Sequence, residues 1–203
     1  MKSENIIRDH YNRKITNNDF EALDYMIDGE PITYEYYKQM IITPTLRNLH
    51  LELNDKVLDV GCGTGLIMKE IENDVKYIEG IDISQNLLNF YKGKANVSCC
   101  SALDFDYKQN FYNKIYMVSV SIHFEDLAYF KKVVRKLLNA LTPGGTLLIG
   151  DQLIADFYTS EKYFSLHLND LIDFLNELGY HFSLKTQAAE FRNRNRYDIL
   201  IYK

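Results

Sequence analysis

The stretch VLDVGCGTG, residues Val57–Gly65, decides the fold because a short apolar run ends directly in three closely spaced glycines. Apolar runs of this length, bounded by turn residues, are typical of buried strands. Glycines clustered at a strand end indicate a tight turn or the close approach of a ligand to the main chain. The stretch therefore predicts a buried strand followed by a loop that a ligand can approach.

Short apolar runs and helical periods alternate along the chain around this loop. The predicted strands are 56–60, 76–82, 96–100, 114–120 and 145–151, and amphipathic helical segments at 66–74, 84–94 and 125–141 lie among them. This alternation predicts right-handed crossovers and a mostly parallel sheet covered on both faces. A last helix ends at Gly179, and two further runs are expected to pair as a hairpin, which makes the final strand antiparallel.

The first 53 residues have helical periodicity instead. Segments 15–27 and 33–53 place apolar residues three and four apart, and Pro31 and Pro44 interrupt the pattern.

Two short sequence signals later in the chain predict a helix cap and a turn. Ser84 is expected to cap the helix that follows it, and TPGG (142–145) is expected to form a turn before the fifth strand.

Composition limits the class of protein. The chain has 203 residues, a net charge of −5 and three cysteines. These values predict one globular domain and disfavour a nucleic-acid partner. No apolar stretch approaches membrane-spanning length, and the N-terminus lacks the apolar segment of a signal peptide. The three cysteines, Cys62, Cys99 and Cys100, are not spaced like metal ligands, and their odd number argues against a disulfide framework. We therefore expect a cytoplasmic protein without a metal or a membrane partner, either a monomer or a homodimer.

The spacing of the glycines favours one kind of ligand. A dinucleotide-binding loop has the pattern G-x-G-x-x-G, whereas Gly61, Gly63 and Gly65 give G-x-G-x-G. An acid, Asp82, ends the next predicted strand, where a carboxylate can accept both hydroxyls of a ribose. Ile83 follows it and can cover one face of a purine. These residues favour a ribose-bearing ligand without a pyrophosphate over a plain strand-to-helix turn.

Five motifs in the same order resemble those of class I S-adenosylmethionine-dependent methyltransferases. They are VLDVGCGTG, EGIDIS, CCSALDF, YNKIYMVSVSIHFED and LLNALTPGGTLLIGD, and they cover about residues 56–151. The resemblance implies a Rossmann-like, doubly wound α/β sheet of seven strands, mostly parallel with an antiparallel last strand. It also implies a single domain, 1–203, made of a helical lid (1–53), a cofactor-binding core (54–151) and a last helix with the terminal hairpin (152–203).

The resemblance implies that S-adenosylmethionine is the cofactor and S-adenosylhomocysteine the product. Main-chain groups of Gly61 and Gly63 would lie against the methionine portion of the cofactor. Asp59 would order the part of the cofactor that carries its amino group. Asp82 would hold the ribose, and Ile83 would contact the adenine.

Three further cofactor contacts come from later motifs. Ser101 stands where the family often has an acid that receives the adenine amino group, and a hydroxyl can also accept that hydrogen bond. Ala102 would offer its backbone amide to the adenine. Val118 would offer its carbonyl to the amino group of the cofactor.

Two side chains are candidates for the chemistry of methyl transfer. His123 follows the fourth predicted strand, and an imidazole that titrates near neutrality suits a general base. The alternative is a histidine that packs onto the next helix. Tyr11 lies in the predicted lid, where a tyrosine works with a histidine in phosphoethanolamine-type methyltransferases. The alternative for Tyr11 is a ring packed beneath the lid.

A basic cluster lies where the terminal hairpin is expected to turn. Arg192, Arg194 and Arg196 alternate with asparagines in EFRNRNRYD. One interpretation is a solvated hairpin tip. The other is a binding site for a phosphate or carboxylate of the acceptor, because the predicted topology brings this turn to the glycine-loop edge of the sheet.

The sequence supports several functions. The first is methyl transfer to an oxygen or nitrogen atom of a small polar acceptor, with phosphorylated compounds, sugars and acids, and so anions among them, as the candidate classes. The alternatives are a protein or nucleic-acid methyltransferase, and a catalytically silent cofactor-binding module that serves a partner protein. A Rossmann-type dehydrogenase is opposed by the glycine spacing.

Overall fold

A computed structural model describes residues 4–13, 16, 18–27, 30–156, 163–186 and 196–203. Its strands are β1 (Met26–Ile27), β2 (Glu30–Pro31), β3 (Lys56–Val60), β4 (Tyr77–Asp82), β5 (Asn96–Cys99), β6 (Tyr112–Val118), β7 (Leu141–Leu153), β8 (His181–Thr186) and β9 (Arg196–Tyr202). Its α-helices are α1 (Glu4–Asn12), α2 (Tyr34–Tyr37), α3 (Thr43–Leu49), α4 (Leu66–Ile71), α5 (Gln85–Leu88), α6 (Leu127–Ala140) and α7 (Leu168–Leu178). Short 3-10 helices lie at Glu21–Leu23 and Ser121–His123, and a π-helical turn lies at Lys38–Ile42. Within these ranges no helix is both long and apolar enough to cross a membrane.

Seven strands form one sheet in the order β5-β4-β3-β6-β7-β9-β8. The pairs among β3 to β7 are parallel, and β9 is antiparallel to both of its neighbours. This confirms the predicted doubly wound sheet with an antiparallel last strand. The carboxyl ends of β3, β4, β6 and β7 therefore lie at one edge of the sheet, and the beginning of β9 lies at the same edge.

Alternation of side chains along the strands divides the core into two layers. In β6, Ile115 and Met117 belong to the layer that packs against α6 and α7. Tyr116 and Val118 point to the opposite layer, which contains side chains of α2, α3 and α4. Because both faces are buried, the strands are apolar at nearly every position, which explains why they are recognisable in the sequence.

The N-terminal prediction is wrong for one segment. In the described part of residues 15–27, the structure has a single 3-10 turn, Glu21–Leu23, followed by β1, which pairs with β2. The Asn18 side chain accepts the N–H of Phe20 at 2.9 Å, and Asp24 ends the turn in a left-handed conformation with φ 58°. Such local bonds from a side chain to the backbone compete with helix formation.

The other N-terminal segment is helical as predicted, from Tyr34 to Leu49. Pro44 lies in the first turn of α3, where an N–H is not required by the α-helix. The predicted cap at Ser84 is also confirmed, since its Oγ accepts the N–H of Leu87 at 3.3 Å. The helix that it caps, α5, is much shorter than the predicted segment 84–94. The predicted turn at 142–145 lies inside β7, as a break in register opposite Tyr112–Lys114.

Gly65→Ala should lower the free energy of unfolding by more than Gly144→Ala does. Both glycines have a left-handed φ, +75° and +78°, so both substitutions carry a similar backbone cost of about 1–2 kcal/mol. A Cβ at Gly65 would lie 2.3 Å from Cδ2 of Tyr91, whereas nothing lies within 4 Å of a Cβ at Gly144. Overpacking adds about 1–3 kcal/mol at Gly65 only. Urea unfolding followed by circular dichroism measures both losses, and equal losses would contradict this packing.

Candidate active site

A cavity lies at the carboxyl edge of the sheet, between the strand ends and helix α1. Strands β3, β4, β6, β7 and β9 contribute the floor, and α1 contributes Glu4, Ile7 and Tyr11. The lining contains ten of the sequence-predicted site residues: Tyr11, Gly61, Gly63, Asp82, Ile83, Ser101, Ala102, Val118, His123 and Arg196. The topology thus brings residues that are distant in the sequence to one cavity.

The glycine loop turns sharply where β3 ends. The N–H groups of Gly61 and Cys62 both donate to the carbonyl of Ile81, at 2.7 and 2.9 Å. Gly61 and Gly63 have φ of +77° and +56°, which side chains rarely adopt. A Cβ on Gly63 would approach Leu23 to 2.7 Å. The loop therefore requires glycine for its conformation and for the close approach of neighbouring groups.

Asp82, at the end of β4, is held by main-chain donors. Its Oδ2 accepts the N–H of Gly63 and its Oδ1 accepts the N–H of Ser84, both at 2.8 Å. The side chain is buried, and burial raises the pKa of the carboxyl to about 6, although the two N–H donors act in the opposite direction. Each carboxylate oxygen has a second lone pair, so Asp82 can accept further hydrogen bonds from a ligand in the cavity.

Asp59 does not reach the cavity lining. Like Val57, it points to the layer beside α2 and α4, because side chains two apart on a strand share a face. Burial raises the pKa of its carboxyl well above the ordinary value; the Tyr116 hydroxyl beside it acts in the opposite direction. Asp59 can therefore order the cofactor only indirectly, through the glycine loop or through neighbouring side chains.

Ile83, Ser101, Ala102 and Val118 line the part of the cavity formed by the ends of β4, β5 and β6. Ser101 is buried, and its Oγ donates to Oδ2 of Asp104 at 2.9 Å while it accepts the N–H of the same residue at 3.2 Å. The acid Asp104 therefore lies three residues after Ser101, which occupies the position where the family often has an acid. The Ser101 hydroxyl proton is directed at this acid, which leaves the oxygen able to accept from a ligand.

The rings of Tyr11 and His123 lie edge to face, as the hypothesis of a tyrosine that works with a histidine requires. Their ring centroids are 6.1 Å apart with an interplanar angle of 89°, and the ring of Tyr163 lies 5.6 Å from His123 on another side at 73°. Burial raises the pKa of Tyr11 well above its ordinary value, with smaller contributions from nearby groups that include Tyr25 and Tyr163. Tyr11 is therefore a neutral phenol at physiological pH.

Helix α1 is held across the cavity at both of its ends. At its beginning, the Tyr129 hydroxyl of α6 donates to the Glu4 carboxylate. At its end, Oδ1 of Asn12 accepts from the Ser84 hydroxyl at 2.8 Å and from the N–H of Asn86 at 3.3 Å. None of its residues is fully buried, so these polar contacts fix its position to a large degree. The arrangement supports the proposal that the N-terminal region is a lid.

Arg196 reaches the cavity, but as half of a buried ion pair. Its Nη1 donates to Oδ2 of Asp151 at 2.8 Å and to the Asp151 carbonyl at 3.1 Å. Arg192 and Arg194 lie outside the described residues, so their proposed contact with the acceptor stays a prediction.

The cavity residues that the sequence analysis did not single out include Ser119, Asp151 and Tyr163. Ser119 and Asp151 are polar residues at the carboxyl ends of two predicted strands, 114–120 and 145–151, so their positions were a usable signal. Tyr163 carries no such signal, because it precedes the last helix in a segment without periodicity.

Comparison with known proteins links the central part of the chain to one family. Residues 57–145 match a family model described as a methyltransferase domain. A wheat (Triticum aestivum) protein named phosphoethanolamine N-methyltransferase 1 is 28% identical over 164 residues, which cover 75% of this chain and 30% of the wheat protein. A Desulfotalea psychrophila protein named carboxy-S-adenosyl-L-methionine synthase is 29% identical over 147 residues, which cover 66% of this chain and 58% of that protein. The chain thus spans less than two thirds of the length of either relative.

Solved structures extend the likeness to the whole fold. The magnesium protoporphyrin IX methyltransferase of Synechocystis PCC 6803, solved with bound S-adenosylmethionine, has a TM-score of 0.72 and 14% identity, covering 100% of this chain and 98% of that chain. The [4+2]-cyclase SpnF has a TM-score of 0.68 and 14% identity, covering 85% and 83% of the two chains. At these identities the comparison shows the fold and leaves the chemistry to be argued from the residues.

The ligand-free protein should become more stable through Asp82 as the pH falls. A carboxyl whose pKa is about 6 when folded and about 3.9 when unfolded binds its proton more tightly in the folded state. Its contribution to stability is complete below pH 4 and is lost as the pH rises through 6. Between pH 7 and pH 4, wild type should gain about 2 kcal/mol relative to Asp82→Asn. Urea unfolding of both proteins at the two pH values measures this; a constant difference would contradict the raised pKa.

Proposed function

We propose that this chain, a member of the class I S-adenosylmethionine-dependent methyltransferase family, transfers a methyl group from S-adenosylmethionine to an oxygen or nitrogen atom of a small polar acceptor. The observation that carries the proposal is the buried Asp82 carboxylate, which faces the same cavity as the loop glycines and the Tyr11–His123 pair.

The residues present fit the cofactor. Asp82 is a buried acceptor with lone pairs to spare, which suits the two ribose hydroxyls. The main chain at Gly61 and Gly63 borders the cavity without side chains, so a ligand can lie directly against it. Ile83 offers an apolar surface to the adenine, and Ser101 and Ala102 offer polar groups at its edge. Val118 lies between the adenine end of the cavity and His123. Its carbonyl would accept a hydrogen bond from the amino group of the cofactor.

The cofactor supplies an electrophilic methyl group on a sulfonium, so the protein has to position the acceptor in line with it and manage one proton. His123 is placed to take that proton, either from an acceptor hydroxyl as its oxygen attacks the methyl group or from an acceptor ammonium before its nitrogen attacks with the lone pair that is set free. Tyr11, a neutral phenol next to the imidazole, can donate or accept one hydrogen bond, and we assign to it the orientation of the acceptor or of His123.

The size of the acceptor follows from the enclosure of the site. Helix α1 covers the cavity and is tied to both α5 and α6, which favours a small molecule over a polypeptide or a nucleic acid. The wheat relative is named for a small acceptor that carries both an amine and a phosphate. A protein or nucleic-acid acceptor, and a silent cofactor-binding module, stay alternatives. Turnover with any small acceptor would exclude the silent module.

His123→Ala should lower kcat much more than it weakens cofactor binding. A positioned acid–base group contributes about 10²–10⁴-fold to the rate, whereas His123 is not among the groups assigned to the cofactor. The measurement is S-adenosylhomocysteine release with an acceptor found by screening small amines, phosphorylated compounds, sugars and acids, beside calorimetry of S-adenosylmethionine binding. His181→Ala, an exposed histidine on β8, is the control. Full turnover in His123→Ala would contradict the proposed role as a base and would leave His123 as a residue that only packs against the next helix.

A further inference from the structure

Asn12, the last residue of helix α1, joins this helix to the beginning of α5. Its Oδ1 accepts from the Ser84 hydroxyl at 2.8 Å and from the N–H of Asn86 at 3.3 Å. Its main-chain carbonyl accepts from Nδ2 of Asn86. Because a backbone N–H can only donate, the bond from Asn86 also fixes which atom of the Asn12 amide faces α5. Three hydrogen bonds therefore converge on one residue of α1.

The groups that bind Asn12 belong to a firmly held part of the core. Asn86 is the second residue of α5, and the N–H groups in the first turn of a helix have no partner within that helix. Ser84, which caps α5, is fully buried, and its own N–H donates to Asp82 at 2.8 Å. Asn12 thus supplies, from a distant segment, an acceptor that α5 lacks.

This contact differs from the one at the other end of α1. Glu4 and Tyr129, which bond there, both line the cavity, so a ligand can change their contact directly. Within the described part of the chain, the cavity lining does not include Asn12, Ser84 or Asn86. The Asn12 contact therefore acts on the position of α1 without touching a bound molecule.

The position of α1 decides whether the cavity is covered. Three residues of this helix line the cavity, among them Tyr11, whose ring centroid lies 6.1 Å from that of His123. No residue of α1 is fully buried, and Ile6 is 51% exposed, so little apolar burial holds the helix. Segments with few buried apolar contacts open at a low cost in free energy, and the lids of enzyme sites are such segments.

We propose that Asn12 is a positioning residue whose hydrogen bonds to α5 hold α1 closed over the cavity and so set the rate at which the cofactor enters and its product leaves. The inference rests on the proposed function, because it requires that this cavity holds S-adenosylmethionine. A contact that is made alike with and without ligand changes the populations of the open and closed helix equally in both forms. It therefore changes both exchange rates by one factor and leaves the affinity unchanged.

The test measures the binding of S-adenosylhomocysteine to the full chain by surface plasmon resonance, which gives both rate constants. Asn12→Ala removes the Oδ1 acceptor and with it two hydrogen bonds. Each such bond contributes several-fold to an equilibrium, so both rate constants should rise about five- to twentyfold while Kd stays within about twofold of wild type. Asn5→Ala is the control on the same helix. Asn5 is exposed and accepts from Arg8 at 3.3 Å, and its loss should leave both rate constants unchanged.

Hydrogen exchange of the α1 amides measures the opening itself. A helix of nine residues is marginal on its own, so α1 should exchange its amide protons once it leaves α5. In the ligand-free protein, Asn12→Ala should accelerate exchange in α1 by about the same factor as the two rate constants, whereas exchange in α6 should stay as in wild type. Unchanged exchange in α1 would overturn the inference.

Asn86→Ala tests the contact from the side of α5 and covers the case in which Asn12→Ala does not fold. It removes the Nδ2 donor to the Asn12 carbonyl and leaves the sequence of α1 unaltered. Both rate constants should rise about two- to fivefold, again with a nearly constant Kd. Gln85→Ala is the matched control, because Gln85 is the exposed neighbour on α5 and its amide bonds Asn89 at 3.1 Å.

The outcomes separate this inference from the proposed function. Unchanged rate constants in Asn12→Ala or in Asn86→Ala would overturn it, as would the same acceleration in the control variants. A weaker affinity that arises from faster dissociation alone would overturn it too, because that pattern belongs to a residue that contacts the ligand. If wild type does not bind S-adenosylhomocysteine, the proposed function itself is wrong.

Discussion

The Asp82 carboxylate, bonded to the N–H groups of Gly63 and Ser84, joins three parts of the site that would otherwise be independent. It ends β4, it fixes the glycine loop after β3, and it stabilises the beginning of α5. Through Ser84 the same connection continues to Asn12, the last residue of the helix that covers the cavity. A buried carboxylate is unfavourable in its charged form, and the main-chain donors offset this only in part, which is the origin of its raised pKa.

This arrangement has a consequence for ligand binding. A ligand that donates hydroxyl protons to Asp82 supplies further hydrogen bonds to the charged form and lowers its pKa again. The ligand and the fold therefore stabilise the same carboxylate, so the site is formed before the ligand arrives and is strengthened by it. On the opposite side of the cavity, Asp151 is held by Ser119 and Arg196.

The sequence was sufficient to predict the sheet, its antiparallel last strand and ten of the cavity residues. These features follow from local rules: apolar strands that are buried on both faces, glycines that the turn requires, and the meeting of parallel strand ends at one edge. Asp59 shows the limit of motif reasoning. It lies in the same motif as Gly61 and Gly63, but its buried side chain is not part of the cavity lining.

Features that depend on contacts between distant segments could not be predicted. The bond between Arg196 and Asp151 joins residues 45 positions apart, and it changes the role of the arginine from a free cation to half of an ion pair. The wrong prediction for segment 15–27 has a local cause instead: the spacing is helical, but the Asn18 side chain bonds to the backbone and Asp24 adopts a left-handed conformation. The position of Tyr163 beside His123 also depends on a contact between distant residues, because the N–H of Phe164 donates to the carbonyl of Ile122.

The central claim, that the cavity at the carboxyl edge holds S-adenosylmethionine through Asp82, is tested most directly by calorimetric titration of wild type and Asp82→Ala. The account predicts saturable binding of S-adenosylmethionine and S-adenosylhomocysteine to wild type, no binding of NAD, and a loss of about 1–3 kcal/mol of binding free energy in the folded variant. Binding of NAD without binding of S-adenosylmethionine, or an unchanged affinity in Asp82→Ala, would contradict it.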